Sequence, residues 1–234
     1  MRLWLWLLIL AAPLCWGADP HEAHRRAQPS APGYFPLAFD APQPGSYRLP
    51  PLGNAADGRV LLENGGRSSL HDLFGDKLVV MSFIYTRCPD PNGCPLAGHV
   101  LARLEKALLQ DPKLSKQVQL LSLSFDPQND RPHIMAEYAK RYRSPLGRWQ
   151  FLTAESAADL DPILSAYNQW VVQERDAQGK PSGALSHLLR VYLIDPQLRI
   201  RNIYSTGFLH RDLLLADIRT LLLEQQEQSA DLQR

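Results

Sequence analysis

The feature that most constrains this chain is the nearly unbroken apolar run from Leu78 to Tyr85, which stops at Thr86-Arg87-Cys88-Pro89. Such a run leaves no face for water. It calls for a strand buried on both sides, hence a sheet covered by helices. Pro95 lies just beyond, where the missing N–H of proline costs nothing in the first turn of a helix. Leu96, Val100, Leu104, Ala107 and Leu108 then keep helical spacing. The strand-to-helix junction therefore carries Cys88 and Cys94 to the C-terminal end of a central strand, where open α/β sheets place their sites.

The same alternation continues along the chain. Arg59 to Leu62 with the Asn64-Gly65 turn predicts an N-terminal hairpin. Val118 to Phe125 is a second buried strand, and Asp130 is placed to cap a helix running through Arg143. Trp149 to Leu152 is a short strand. Ala157 to Trp170 is helical with a distortion at Pro162, and 173 to 185 is a loop punctuated by Gly179, Pro181 and Gly183. His187 to Ile194 and Ile200 to Tyr204 are strands, and a last helix starts near His210. Alternating strands and helices make this an α/β chain with a mostly parallel sheet, to which the late strand pair adds antiparallel pairing.

Residues 1–18 hold one arginine, an apolar run from Leu3 to Trp16 and the small residues Gly17 and Ala18, the pattern of a secretory signal peptide. An uncleaved anchor is the alternative, because Trp16 suits a cleavage site poorly. Cys15 belongs to this leader. Of 25 Lys and Arg, removal of Arg2 leaves 24, against 24 Asp and Glu, so no electrostatic footprint points to nucleic acid. Residues 19–53 are rich in proline and alanine and form an arm or linker, in which His21 and His24 are solvated. One folded domain is expected over 54–224, with 225–234 as a C-terminal tail. Export would place it in the periplasm, or facing it from the membrane. An oxidising compartment would favour a Cys88–Cys94 disulfide.

Cys88 and Cys94 are the only cysteines outside the leader. Two soft thiolates with the imidazole of His187 suit one three-coordinate copper(I). Closed zinc sites want four ligands, and iron–sulfur clusters usually four cysteines. The helix start favours Cys94 as a thiolate, whereas exposure would favour Cys88 as the attacking sulfur. A dithiol oxidoreductase, a thiol peroxidase and a structural disulfide would use the same pair.

Three blocks together resemble the Sco/SenC family. They are Tyr85-Thr86-Arg87-Cys88-Pro89 with Cys94-Pro95-Leu96, the strand end Ser124-Phe125-Asp126-Pro127 through Pro132, and Ser186-His187-Leu188 through Asp195. The resemblance implies a thioredoxin-like fold with a mixed central sheet flanked by helices, and copper held by Cys88, Cys94 and His187. It implies assembly of the copper site of a respiratory cytochrome c oxidase. The partners would be a copper-accepting oxidase subunit, a copper donor and a thiol reductant, with the N-terminus able to anchor the protein to a membrane. Where the family has three residues between its cysteines this chain has five, Pro89 to Gly93. That width keeps thiol–disulfide exchange with partner cysteines as the second reading.

Around this site Asp126 ends a strand on the cysteine side, placed to touch the metal, tune His187 or cap a turn. Tyr85 and Phe125 fall at strand ends where they can line the site. His99 reads as a solvated helix residue, and His133 and His210 as helix-start residues. Trp149, Trp170 and Tyr192 read as core.

Overall fold

A computed structural model describes residues 31–232 and 234. The expected leader, with Cys15, and the histidines His21 and His24 lie outside the described residues. Among the described residues, no helix is long and apolar enough to cross a membrane. In chain order the elements are β1 (Gly53–Asn54), β2 (Arg59–Leu62), β3 (Arg67–Ser69), α1 (Leu70–Phe74), β4 (Leu78–Ile84), α2 (Cys94–Leu109), α3 (Pro112–Gln117) and β5 (Val118–Ser124). There follow α4 (Pro132–Ala139), β6 (Gln150–Thr153), α5 (Ala157–Ala166), β7 (Val172–Arg175), β8 (Pro181–Ser186), β9 (Val191–Ile194), β10 (Arg199–Tyr204) and α6 (Arg211–Leu232).

Eight strands form one sheet in the order β1-β10-β9-β4-β5-β6-β2-β3. Every residue of β4 and β5 is buried, as the apolar runs require. The two pair in parallel from Leu78↔Val118 to Ile84↔Ser124, and β5 pairs in parallel with β6. The other pairings in this sheet are antiparallel, so the sheet is mixed rather than mostly parallel. The helices between strands hid this, because β9 and β10 return beside β4 and the hairpin β2–β3 adds to the far edge. Ser82 and Ser122 are buried within the central strands, yet their hydroxyls bond each other at 2.7 Å and Trp149 Nε1 donates to Ser122 Oγ at 3.0 Å. These polar groups of the core are thereby satisfied.

Helix α2 buries Leu96, Val100, Leu101, Leu104 and Leu108 and packs on α6. Side chains cap α1, α3 and α5: Ser69 accepts from Asp72 N, Asp111 from Lys113 N and Leu114 N, and Ser156 from Asp159 N.

Several expectations change. Helix α5 contains Pro162 but ends at Ala166, because Asn168 takes a left-handed φ of 51°. Trp170 therefore falls beyond the helix and is 76% exposed, not core. Asp130 caps nothing: α4 starts at Pro132, and the Asp130 carboxylate turns inward. Residues 173–185 are not a loop but most of the hairpin β7–β8, closed by a turn in which Asp176 Oδ1 accepts from Gln178 N and Lys180 N. All four residues of β7 are exposed, so no apolar alternation marks it. His187 does not begin a strand; it lies in the link between β8 and β9. Helix α6 continues through residues 225–232.

Residues 31–52 have no regular secondary structure, and they are pinned at intervals. Gly45 N donates to Thr220 Oγ1 at 3.1 Å, Tyr47 Oη to Asp217 Oδ1 at 2.5 Å, and Arg201 Nε to Leu49 O at 2.7 Å.

Candidate metal centre

Strand β4 ends at Ile84, and the backbone turns out of the sheet through Tyr85 and Thr86. Two carboxylates fix the base of this turn. Asp130 accepts from Thr86 N at 3.0 Å, from Thr86 Oγ1 at 2.5 Å and from Ser124 Oγ at 2.5 Å. Asp126 accepts from Arg87 Nη2 at 3.0 Å and holds Asn129 Nδ2 with both oxygens. Arg87 is thus turned toward Asp126 rather than toward a sulfur. Beyond it the loop closes on itself: Asp90 Oδ1 accepts from Asn92 N at 2.9 Å, and Asp90 O accepts from Gly93 N at 3.0 Å. Pro89 and Pro91 stiffen the rest.

Cys94 is the first residue of α2, with Gly93 as the N-cap, so the helix starts one position earlier than Pro95 suggests. Its side chain is fully buried, and Tyr85 N donates to its sulfur at 3.4 Å. Cys88 is half-buried, with its sulfur 3.7 Å from Asp90 O. His187 Nε2 lies 3.5 Å from Cys94 Sγ. One ligand atom each from Cys88, Cys94 and His187 falls within 4.8 Å of the others, the only such cluster of three or more metal-ligating side chains among the described residues. Neither cysteine is in a disulfide.

The imidazole is held by aromatic rings. The Phe125 ring lies 4.6 Å from that of His187, and Tyr85 meets it edge-on at 6.2 Å. Tyr85 Oη accepts from Leu185 N at 3.2 Å, which ties the end of the β7–β8 hairpin to the cysteine loop. Nδ1 of His187 is buried without a hydrogen-bond partner.

The two sulfurs differ electrostatically. A hydrogen bond from Cys94 holds the Cys88 thiol down at about 4 against burial, and His187 adds to the effect. Burial pushes the Cys94 thiol up, and the neighbouring Cys88 charge pushes it further. Cys88 is therefore the more acidic sulfur of the pair and Cys94 the less acidic. The helix start does not make Cys94 the more acidic sulfur, because its burial outweighs the dipole. An open cleft of about 250 Å³ exposes Cys88 and His187 between Pro89, Glu174 and Leu188.

The SCO1/SenC family model matches residues 60–223. The chain belongs to the SCO1/SenC family. A curated relative from Bacillus subtilis (strain 168), the SCO1 protein homolog, is 24% identical over 143 residues, 61% of this chain and 69% of that one. Among solved structures, Arabidopsis thaliana ScoI with copper bound is similar with a TM-score of 0.59 at 20% identity, over 73% of this chain and 98% of that chain. A structure describing a disulfide switch in BsSco, a member of the Sco family of cytochrome c oxidase assembly proteins, gives 0.57 at 24% identity, over 73% and 94%. The fold is the thioredoxin-like fold of the Sco proteins.

In this Sco-family chain Asp126 touches neither sulfur nor imidazole; it holds the loop through Arg87. His99 is half-buried rather than on a solvated face: its Nδ1 is buried, and its ring meets that of Tyr34 at 4.9 Å. His210 stands at the start of α6, where its Nδ1 accepts from Asp212 N at 3.1 Å. Asp130 has the most direct hold on the loop and escaped sequence reasoning. Its only signal is that Thr86, Ser124 and Asp130 all fall beside the ends of β4 and β5.

Proposed function

We propose that Cys88, Cys94 and His187 hold one copper ion, and that the protein carries it to the copper site of a respiratory cytochrome c oxidase. The observation that carries this reading is the convergence of two sulfurs and an imidazole nitrogen within 4.8 Å from separate parts of the fold. The donor set fits copper. Thiolates are soft ligands, imidazole serves copper in either oxidation state, and three ligands fall short of a closed zinc site. The family and its copper-bound members support the reading.

Copper is cargo here, and transfer needs ligand exchange only. Cys88 arrives as a thiolate and Cys94 gives up its proton on binding. The open side of the cleft, at Cys88 and His187, lets an incoming partner thiolate displace these donors one at a time. The buried Cys94 sulfur is the last to let go. An exported location, with the copper-accepting oxidase subunit on the same side of the membrane, agrees with the leader-like residues 1–18.

The test is a copper(I) competition titration of the fully reduced protein. One equivalent is expected to bind tightly, with binding lost in Cys88→Ser and in Cys94→Ser. Stoichiometric binding that survives either substitution rejects the site.

A second reading rests on the pairing of a half-exposed thiolate with a buried thiol, the arrangement of a dithiol that reduces partner disulfides. The disulfide switch described for BsSco supports keeping it. Reduction of a model disulfide by the copper-free dithiol, undiminished in His187→Ala, is the result this reading requires.

A further inference from the structure

The loop between the cysteines has a neighbour that neither reading uses. Ala31 to Tyr34 forms a tight turn, with Tyr34 N donating to Ala31 O at 2.9 Å. Within it, Gly33 presses on Asn92, the fourth of the five residues that separate Cys88 from Cys94. A Cβ on Gly33 would stand 2.5 Å from Asn92 Oδ1, closer than any real contact, and 3.0 Å from its Cγ. The turn is seated firmly. The Tyr34 ring stacks on His210 at 4.9 Å with 4° between the planes, and it meets His99 at 4.9 Å. The Arg103 guanidinium lies over the same ring at 5.1 Å. His99 and Arg103 belong to α2, the helix that begins at Cys94.

The contact reaches the site in two steps. Asn92 precedes Gly93, and a Cβ on Gly93 would lie 3.3 Å from Cys88 Sγ, so the loop leaves no spare room between position 93 and the sulfur. Asp90 ties Asn92 N and Gly93 N into one turn, which makes a push on Asn92 a push on the whole turn. A chain of contacts thus runs from Tyr34 through Gly33, Asn92 and Gly93 to Cys88. The five-residue loop has more freedom than a shorter one, and two prolines alone do not restrain Asn92 and Gly93.

We propose that the Ala31–Tyr34 turn is a latch on the cysteine loop. With Gly33 seated against Asn92, it holds the segment between Cys88 and Cys94 in the form that keeps both sulfurs at one site. Gly33, Tyr34 and Asn92 are positioning residues. The proposal rests on reading Cys88 and Cys94 as one working pair, which both proposed functions share. It makes the N-terminal arm a regulator of the pair: whatever draws the arm away loosens the loop, weakens copper binding and destabilises the disulfide.

The test measures the Cys88–Cys94 dithiol–disulfide equilibrium in glutathione buffers, with thermal unfolding as the check on folding. The proteins are wild type, Gly33→Val, Tyr34→Ala, Asn92→Gly and the double variant Gly33→Val/Asn92→Gly. A valine side chain at position 33 would meet Oδ1, Cγ and Cβ of Asn92, so the clash falls on the loop residue itself rather than on the fold. The disulfide equilibrium constant is expected to fall about fivefold in Gly33→Val and in Tyr34→Ala, the scale of coupling between residues in contact. Valine at position 33 is expected to have no further effect once Asn92 is glycine. A wild-type equilibrium in a folded Gly33→Val overturns the latch, as does a valine effect of full size in the Asn92→Gly background. If Gly33→Val does not fold, Tyr34→Ala decides, and a wild-type equilibrium there overturns the proposal. Copper(I) affinity across the same series is expected to fall in the same order. A wild type that binds no copper rejects the copper reading, while the disulfide equilibrium still tests the latch.

Discussion

The Nε2 of His187 lies 3.5 Å from the sulfur of Cys94, a residue 93 positions earlier in the chain. The two are carried by separate elements, the first turn of α2 and the link between β8 and β9. Only the antiparallel return of β9 beside β4 brings them together. Phe125, at the end of β5, then packs against the imidazole and sets its approach.

The first prediction follows from that geometry. His187→Ala leaves both thiols in place, so copper(I) is expected to bind with reduced affinity. Copper(II) is expected to lose its sulfur-to-metal absorption altogether, because it favours nitrogen and higher coordination. Parallel copper(I) competition and copper(II) absorption titrations check this. An unchanged copper(II) spectrum in His187→Ala removes the histidine from the ligand set and favours the oxidoreductase reading.

The second prediction concerns protons. Cys88 is held down at about 4, so it is ionised at neutral pH, whereas Cys94 is pushed up and keeps its proton. Copper(I) binding at pH 7 is therefore expected to release about one proton per ion, not two. As pH falls through about 4, Cys88 protonates and its alkylation by iodoacetamide slows. Cys94→Ala removes the neighbouring thiol that lowers Cys88 and is expected to move that transition upward. Proton release read in a weakly buffered dye solution, with rates of Cys88 alkylation against pH, decides the point.

Asp130 gives the third. Its carboxylate is fully buried and ties Thr86 to Ser124. Asp130→Ala leaves the Thr86 N–H and two hydroxyls without an acceptor and is expected to cost about 1–3 kcal/mol. Burial pushes the Asp130 carboxyl above its usual range. A raised carboxyl contributes stability that is full below its unfolded value of 3.8 and is lost as pH rises through the folded value. Chemical denaturation of wild type and Asp130→Ala between pH 3 and 7 is expected to show the wild-type advantage narrowing as pH rises across that window. An advantage that widens with pH contradicts the assignment.

Elements whose side chains are sorted by burial were legible in the sequence. Strands β4 and β5 are apolar throughout most of their length, and the buried stripe of α2 keeps its spacing, so both the central strands and the cysteine junction were placed from residues alone. What was not legible depends on partners distant in sequence. The exposed hairpin β7–β8 has no apolar face to announce it, and Trp170 escapes the core because Asn168 ends α5 early. Asp130 looked like a helix cap, since caps and buried acceptors use the same side chain. The acidity of the two sulfurs could not be ranked, because it depends on the depth of burial of Cys94, which spacing does not reveal.

The last prediction separates the two sulfurs by function. In disulfide exchange the attacking group is a thiolate that a partner can reach. Cys88 meets both conditions: it faces the cleft and is ionised at neutral pH. Cys94 meets neither, being fully buried and protonated. A mixed disulfide with a partner cysteine is therefore expected to form at Cys88, after which Cys94 loses its proton and resolves it. Cys94→Ser removes the resolving sulfur and is expected to trap the mixed disulfide, whereas Cys88→Ser traps none. Incubation of each variant with an oxidised small thiol, followed by intact-mass analysis, reads this directly. Adduct accumulation on Cys88→Ser but not on Cys94→Ser reverses the assignment and makes Cys94 the attacking sulfur. Equal and slow modification of both variants removes thiol exchange from the protein's chemistry and leaves the dithiol to copper alone.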